Sequence, residues 1–102
     1  MLLIQLLLPL YDNDNQPLPK ALFNDVRHEL IERFGGLTAY TRAPANGLWL
    51  EDGEHAVRDK LVIYEVMVPK LDHAWWQDYR SSLEARFRQE RIMVRAHRVS
   101  LL

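Results

Sequence analysis

The residue most able to do chemistry in this chain is a carboxylate inside an apolar run. Glu65 lies between Tyr64 and Val66 in the segment LVIYEVMV, which occupies residues 61–68. A buried carboxylate needs a partner, because leaving such a charge unpaired inside a protein is costly. Beside a histidine and an arginine, a carboxylate can act as a general base next to a group that holds an anion. Glu65 is therefore the first candidate for a functional residue.

Apolar runs around Glu65 indicate β-strands. Period-two alternation and continuous apolar runs predict four strands, at residues 2–8, 37–43, 61–68 and 92–101. Residues 44–47, Pro-Ala-Asn-Gly, are expected to break the second strand. Residues 48–51 are extended again and Asp52-Gly53 favours a turn, so the sequence predicts a hairpin inserted between the middle strands.

Two amphipathic helices separate the strands. The first is predicted to begin near Pro19 and to end at Gly35, since proline suits the first turn and glycine the C-terminal end. The second is predicted to begin at Asp72, a good N-cap residue. It carries an aromatic stripe, in which one of Trp75 and Trp76 is expected in the core and the other at the helix flank.

The order β-α-β-β-α-β predicts one α+β domain over residues 1–102. Right-handed crossovers favour a ferredoxin-like, four-stranded antiparallel sheet in the order 4-1-3-2, with both helices on one face. Alternation then assigns an apolar set to the face beneath the helices: Leu2, Ile4, Leu6, Leu8, Leu37, Ala39, Thr41, Val62, Tyr64, Val66, Val68, Ile92, Val94 and Ala96. The opposite face receives a mixed set: Leu3, Gln5, Leu7, Thr38, Tyr40, Arg42, Leu61, Ile63, Glu65, Met67, Met93, Arg95 and His97.

The aliphatic members of the mixed set would form a large exposed apolar patch on an isolated domain. Soluble monomers rarely leave such patches open, so a second copy of the chain is the expected cover. In length, element order and face pattern, the sequence resembles the dimeric α+β barrel superfamily. That superfamily includes haem-degrading and cofactor-independent monooxygenases and lactone isomerases, and the inserted hairpin departs from its simplest members. The resemblance implies a homodimer whose paired sheets enclose a small pocket, and fold alone does not select the reaction.

Polar side chains on the mixed face are candidates for a site around Glu65. Gln5 is its expected neighbour on the adjacent central strand, and Arg42 or Arg95 would hold an anionic part of a small organic ligand. Tyr40 or His97 would donate a proton if Glu65 acts as the base. Trp49, in the inserted hairpin, is a candidate pocket wall. The competing interpretation makes Glu65 part of an ion pair that only sets the register of a dimer.

Several function classes are disfavoured by composition. The chain has no cysteine, and His28, His55, His73 and His97 do not follow metal-ligand spacing, so neither a metal nor a cofactor is predicted. Thirteen basic side chains against fourteen acidic ones leave a net charge of −1, which disfavours nucleic acid as a partner. Residues 1–10, MLLIQLLLPL, are too short to cross a bilayer and read as a buried strand, so a cytoplasmic protein without a membrane partner is expected.

Three functions are left open. The first is a small-ligand pocket between paired sheets, with a monooxygenase-like or isomerase-like activity. The second is a non-enzymatic assembly or binding module without an active site. The third, a nucleic-acid binder using the same sheet, is disfavoured by the charge balance and by the lack of an RNA-recognition motif pattern at residues 61–68.

Overall fold

The computed structural model describes the backbone of residues 1–50 and 56–102 and the side chains of residues 1–41 and 60–102. Its elements follow the predicted order β-α-β-β-α-β: β1 (Leu2–Pro9), α1 (Lys20–Phe34), β2 (Thr38–Leu50), β3 (Ala56–Val68), α2 (His73–Arg86) and β4 (Met93–Arg98). The strands form one antiparallel sheet in the order β2-β3-β1-β4. The ferredoxin-like α+β fold and the predicted strand order are confirmed.

Helix α1 ends where the glycine signal predicted. Gly35 adopts a left-handed backbone conformation, with φ of 82°, and its N–H donates to the carbonyl of Ile31 at 2.8 Å. A residue with a Cβ is strained in that conformation, so glycine is the natural residue at this helix end. Val26 and Leu30 are fully buried on the helix face turned to the sheet.

Helix α2 begins at the predicted cap. The carboxylate of Asp72 accepts a hydrogen bond from the backbone N–H of Trp75 at 3.1 Å, which satisfies one of the free donors of the first turn. Trp76 is buried, whereas Trp75 is only partly buried and packs at the edge of the core. The prediction that one tryptophan lies in the core and the other at the helix flank is therefore confirmed. No helix in the described part of the chain is long and apolar enough to cross a membrane.

Polar side chains join the two helices directly. Tyr79 in α2 donates its hydroxyl hydrogen to Glu29 in α1 at 2.8 Å. Arg86 donates from Nη1 to both carboxylate oxygens of Glu29, at 2.8 and 2.9 Å, and from Nε to Ser82 at 3.0 Å. Burial, followed by the hydrogen bond to Glu29, raises the pKa of Tyr79 well above its usual value.

The second strand does not end at Pro44 as predicted, but its pairing is irregular there. Strand β2 continues to Leu50, and its residues 45–50 pair with residues 56–61 of β3. Between Tyr40 and Ala45 the register with β3 shifts, and Pro44 lies within this irregular stretch. Because β2 is an edge strand, a proline without an N–H can be accommodated at such an irregularity. The expected inserted hairpin is thus an extension of β2 and β3, and its predicted Asp52-Gly53 turn lies outside the described residues.

The last strand is shorter than predicted and ends at Arg98 rather than residue 101. Beyond Arg98, the N–H of Val99 donates to the carbonyl of Met1 at 3.0 Å. The core is the predicted covered face joined to the helices: Ile4, Leu6, Leu8, Val62, Tyr64, Val66, Val68 and Ile92. Ala39, Thr41 and Ala96 belong to the same pattern but are exposed, because they lie on the edge strands.

Candidate functional site

The second side of the sheet, called the open face here, collects the mixed set predicted from the sequence. Cross-strand register brings these residues together in rows: Leu7 between Ile63 and Met93, Gln5 between Glu65 and Arg95, and Leu3 between Met67 and His97. The aliphatic side chains are half-buried by one another, and Met93 is 53% exposed. Both helices bury the opposite face, so the open face lacks a cover from α1 or α2.

The central row of the open face is polar. Nε2 of Gln5 donates to Oε2 of Glu65 at 2.5 Å, and Nε of Arg95 donates to Oε1 of Gln5 at 2.8 Å. Nη1 of Arg95 also lies 3.9 Å from the sulfur of Met93. One amide therefore links a carboxylate on β3 to a guanidinium on β4 across the central strand. The predicted contact between Gln5 and Glu65 is present.

Tyr40 belongs to the same group of residues. It lies on β2, where it pairs with Ile63, and Thr38 pairs with Glu65 itself. The negative charge of Glu65 raises the pKa of the Tyr40 phenol, because ionising the phenol would place a second anion beside the carboxylate. The phenol is 52% exposed, so its hydroxyl can be reached from outside. We call Gln5, Tyr40, Glu65 and Arg95 the Glu65 cluster.

His97 shares the open face but lies apart from Glu65. It pairs with Leu3, one row beyond the pair of Gln5 and Arg95. With strand spacing and residue rise taken into account, its Cα lies about 12 Å from that of Glu65. His97 can therefore reach this cluster through a bound ligand but does not contact the carboxylate. The side chains of Arg42 and Trp49 and the whole of His55 lie outside the described residues.

Among the residues whose side chains are described, the hydrogen-bond partner of Glu65 is a neutral amide rather than a cation. Arg95 contacts the far side of that amide. The arrangement keeps the carboxylate and the guanidinium on one face without neutralising each other directly. It presents an acceptor at one end and a donor at the other, which suits a ligand carrying both hydroxyl or amino groups and a carbonyl or anionic group.

The remaining histidines and the cavities lie away from the Glu65 cluster. His28 and His73 are exposed on the helices, as expected. No group of three or more metal-ligating side chains occurs among the residues that the structure describes. Two cavities, of about 470 and 290 Å³, lie beside β4 and on the helix side of the sheet rather than on the open face. Sequence patterning did not indicate them, because they depend on how residues distant in the chain pack: the smaller lies between α2 and β4, and the larger beside the segment 69–71 that precedes α2.

Comparison with known proteins shows similarity at the level of the fold. No family model matches the sequence, and no curated protein sequence matches it. Among solved structures, a phage SAM lyase in complex with S-methyl-5'-thioadenosine matches with a TM-score of 0.64 at 13% identity, covering 94% of this chain and 79% of that one. The apo form of a phage SAM lyase matches with a TM-score of 0.57 at 14% identity, covering 94% and 78%.

Proposed function

We propose that this chain is a homodimeric protein that binds a small organic ligand between two paired open faces, with the Glu65 cluster as the binding group. The observation that carries the proposal is the polar row of Glu65, Gln5 and Arg95, flanked by aliphatic side chains on a sheet face that neither helix covers. The apolar part of the open face would form the dimer interface, and its polar part would bind the ligand.

The apolar part supports the dimer. Leu3, Leu7, Ile63, Met67 and Met93 surround the polar row on both sides. Burying them against a second copy removes apolar surface from water, which is the main favourable term in association. In a two-fold dimer the same surface meets itself, so a single apolar face is sufficient to complete the interface.

The polar part supports a ligand. In a closed interface Glu65 and Arg95 would lose water, so hydrogen bonds from a ligand would stabilise both charged groups. A ligand with hydroxyl or amino donors would satisfy Glu65, and the half-exposed ring of Tyr40 offers a surface for stacking. The phage SAM lyase of similar fold binds S-methyl-5'-thioadenosine, a nucleoside that carries donors of this kind, so we extend the proposed ligand class to nucleosides.

If the bound ligand is also converted, the cluster suggests roles for its members. Glu65 would be the base and Arg95, with Arg42 as the alternative, would hold an anionic or carbonyl group. Tyr40 is the better-placed proton donor because it lies beside Glu65, although the carboxylate raises the pKa of the phenol and so makes it a weaker acid than a free tyrosine. His97 would serve only if the ligand spans the distance to the neighbouring row. A monooxygenase-like or isomerase-like reaction belongs to this branch of the proposal.

The dimer is tested by sedimentation over a concentration series with two matched variants. Ile63→Arg places a charge on the open face, and Ile31→Arg places the same charge on α1, where the isoleucine is already 48% exposed. We expect the wild type and Ile31→Arg to be dimers and Ile63→Arg to be a monomer. A monomeric wild type, or a dimer indifferent to Ile63→Arg, would contradict the proposed interface.

Ligand binding is tested by calorimetry with S-methyl-5'-thioadenosine and S-adenosylmethionine. Glu65→Gln removes the charge from the cluster, and Glu32→Gln removes the same charge from an exposed position on α1. We expect binding by the wild type and Glu32→Gln, and a loss of about tenfold or more in affinity for Glu65→Gln. A dimer that binds neither compound would favour the second candidate, a non-enzymatic assembly module in which Gln5 bridges Glu65 and Arg95 to set the register.

A further inference from the structure

The outer edge of β4 carries unpaired backbone groups. β4 is the last strand of the sheet and pairs only with β1 among the described strands. Val99 donates to the carbonyl of Met1, so the hydrogen-bonded rows of this antiparallel pair are those of Leu3 with His97 and Gln5 with Arg95. The N–H and C=O groups of the alternate residues, Val94 and Ala96, therefore point away from β1.

A groove runs beside this edge on the helix side. It consists of the two cavities of about 470 and 290 Å³, which share Leu71 as a lining residue. Its apolar surface comes from Ile4, Trp76 and Val94, and the small side chain of Ala96 leaves the space between β4 and α2 open. We call this surface the β4 groove.

The charge of the β4 groove has one sign. Its cationic lining residues are Lys70, Arg80, Arg95 and Arg98, and no carboxylate lines it in the described part of the chain. Two acidic side chains at the ends of α2 are engaged in backbone contacts: Asp72 caps Trp75, and Glu84 accepts from the N–H of Ile92 at 2.9 Å. A surface of this charge repels a second copy of itself and attracts carboxylates.

We propose that the β4 groove docks an extended acidic peptide segment of another protein, which adds to the sheet as a fifth strand beside β4. The exposed N–H and C=O groups of Val94 and Ala96 match a peptide backbone, which is the general basis of strand addition. Alternate apolar side chains of the segment fill the cavity, while its carboxylates face the cationic rim. A phosphodiester chain offers no N–H groups to the exposed carbonyls, so the edge favours a peptide over a nucleic acid.

The edge pairing is tested with a fluorescent peptide of alternating glutamate and valine, about ten residues long so that it exceeds β4. Its binding to the full chain is followed by fluorescence anisotropy, with an alternating lysine and valine peptide as the charge control. Ala96→Pro removes one outward N–H and leaves the bonds to β1 in place, because proline is tolerated at such an edge position. We expect the acidic peptide to bind the wild type, and Ala96→Pro to weaken binding by about tenfold or more.

The charge of the groove is tested with Arg80→Glu, matched by Lys20→Glu at the exposed start of α1. We expect Arg80→Glu to weaken binding by about tenfold and Lys20→Glu to have little effect. If Ala96→Pro lowers the melting temperature, its weaker binding does not test the edge pairing. Hydrogen exchange of the wild type then provides the test, because the peptide should slow exchange at the amides of Val94 and Ala96. Three results would overturn the proposal. The first is that the lysine peptide binds as tightly as the acidic peptide, and the second is that the chain prefers an oligonucleotide. The third is that Ala96→Pro leaves peptide binding unchanged and the peptide does not protect the amides of Val94 and Ala96 from exchange.

Discussion

Glu29→Ala gives the sharpest test of the contacts between the two helices. The substitution removes the acceptor of the Tyr79 hydroxyl and the partner of Arg86 at once. Tyr79 is only 8% exposed, so its hydroxyl would lose its hydrogen bond in a largely dry place, at a cost of about 1–2 kcal/mol. The ion pair is more accessible, with Arg86 30% and Glu29 41% exposed, and contributes about 0.5 kcal/mol after screening.

The expected loss in the free energy of unfolding is therefore about 2 kcal/mol, reduced by a few tenths because alanine favours helix more than glutamate does. In a chain of this size the loss corresponds to a melting temperature lower by about 10 °C. Urea unfolding followed by tryptophan fluorescence measures it, with every variant at the same protein concentration because association shifts apparent stability. Glu32→Ala on the same helix is the control, since Glu32 is exposed.

A double-mutant cycle with Tyr79→Phe isolates the hydrogen bond. In the Tyr79→Phe background, Glu29→Ala should cost only the ion-pair part, so the coupling between the two positions should be about 1 kcal/mol. A coupling below about 0.3 kcal/mol would refute the reasoning, because it would mean that the hydroxyl and carboxylate do not interact in solution.

The same contact predicts a pH dependence. Because the pKa of Tyr79 is raised in the folded chain, its contribution to stability is complete below the unfolded value of 10.0 and is lost as the pH rises through the folded value. The wild type should therefore lose stability in alkali more steeply than Tyr79→Phe.

Three further predictions concern single positions. Glu65→Gln should lower the raised pKa of Tyr40 toward 10.0, which a titration of ¹³C-labelled tyrosine by NMR would detect. An unchanged pKa of Tyr40 would show that the carboxylate of Glu65 does not interact with the phenol. Leu6→Ala, at a fully buried position, should cost about 2–5 kcal/mol in urea unfolding, and a loss below about 1 kcal/mol would argue against its place in the core. Asp72→Ala should cost about 1 kcal/mol by removing the cap of α2, whereas Asp78→Ala, at an exposed site within the helix, should change stability much less.

The two proposed sites share Arg95 but otherwise use different parts of the sheet, so variants at the unshared residues test them separately. The Glu65 cluster lies on the open face, whereas the β4 groove lies on the helix side and at the edge. Ile63→Arg changes only the first surface, and Arg80→Glu only the second. Loss of the dimer would therefore leave peptide binding intact, and loss of peptide binding would leave the dimer intact.

Local signals in the sequence determined the helix ends and the two faces of the sheet. Gly35 and Asp72 act through the backbone groups nearest to them, so their effect does not depend on distant residues. Strand alternation is equally local. Without any information on strand pairing, it assigns Glu65 to the open face together with Gln5, Tyr40, Arg95 and His97.

Only the tertiary structure decided which of those residues meet. Gln5, rather than an arginine, contacts Glu65 among the described residues, and His97 falls one row away, because register depends on pairing between strands distant in the chain. The same reason explains why β2 continues past Pro44: an edge strand accommodates the proline where the register shifts, and sequence signals for a turn do not reveal which strand will lie at an edge. The part of the β4 groove between α2 and β4 likewise depends on how far the helix lies from the last strand, a distance set by the packing of the whole core.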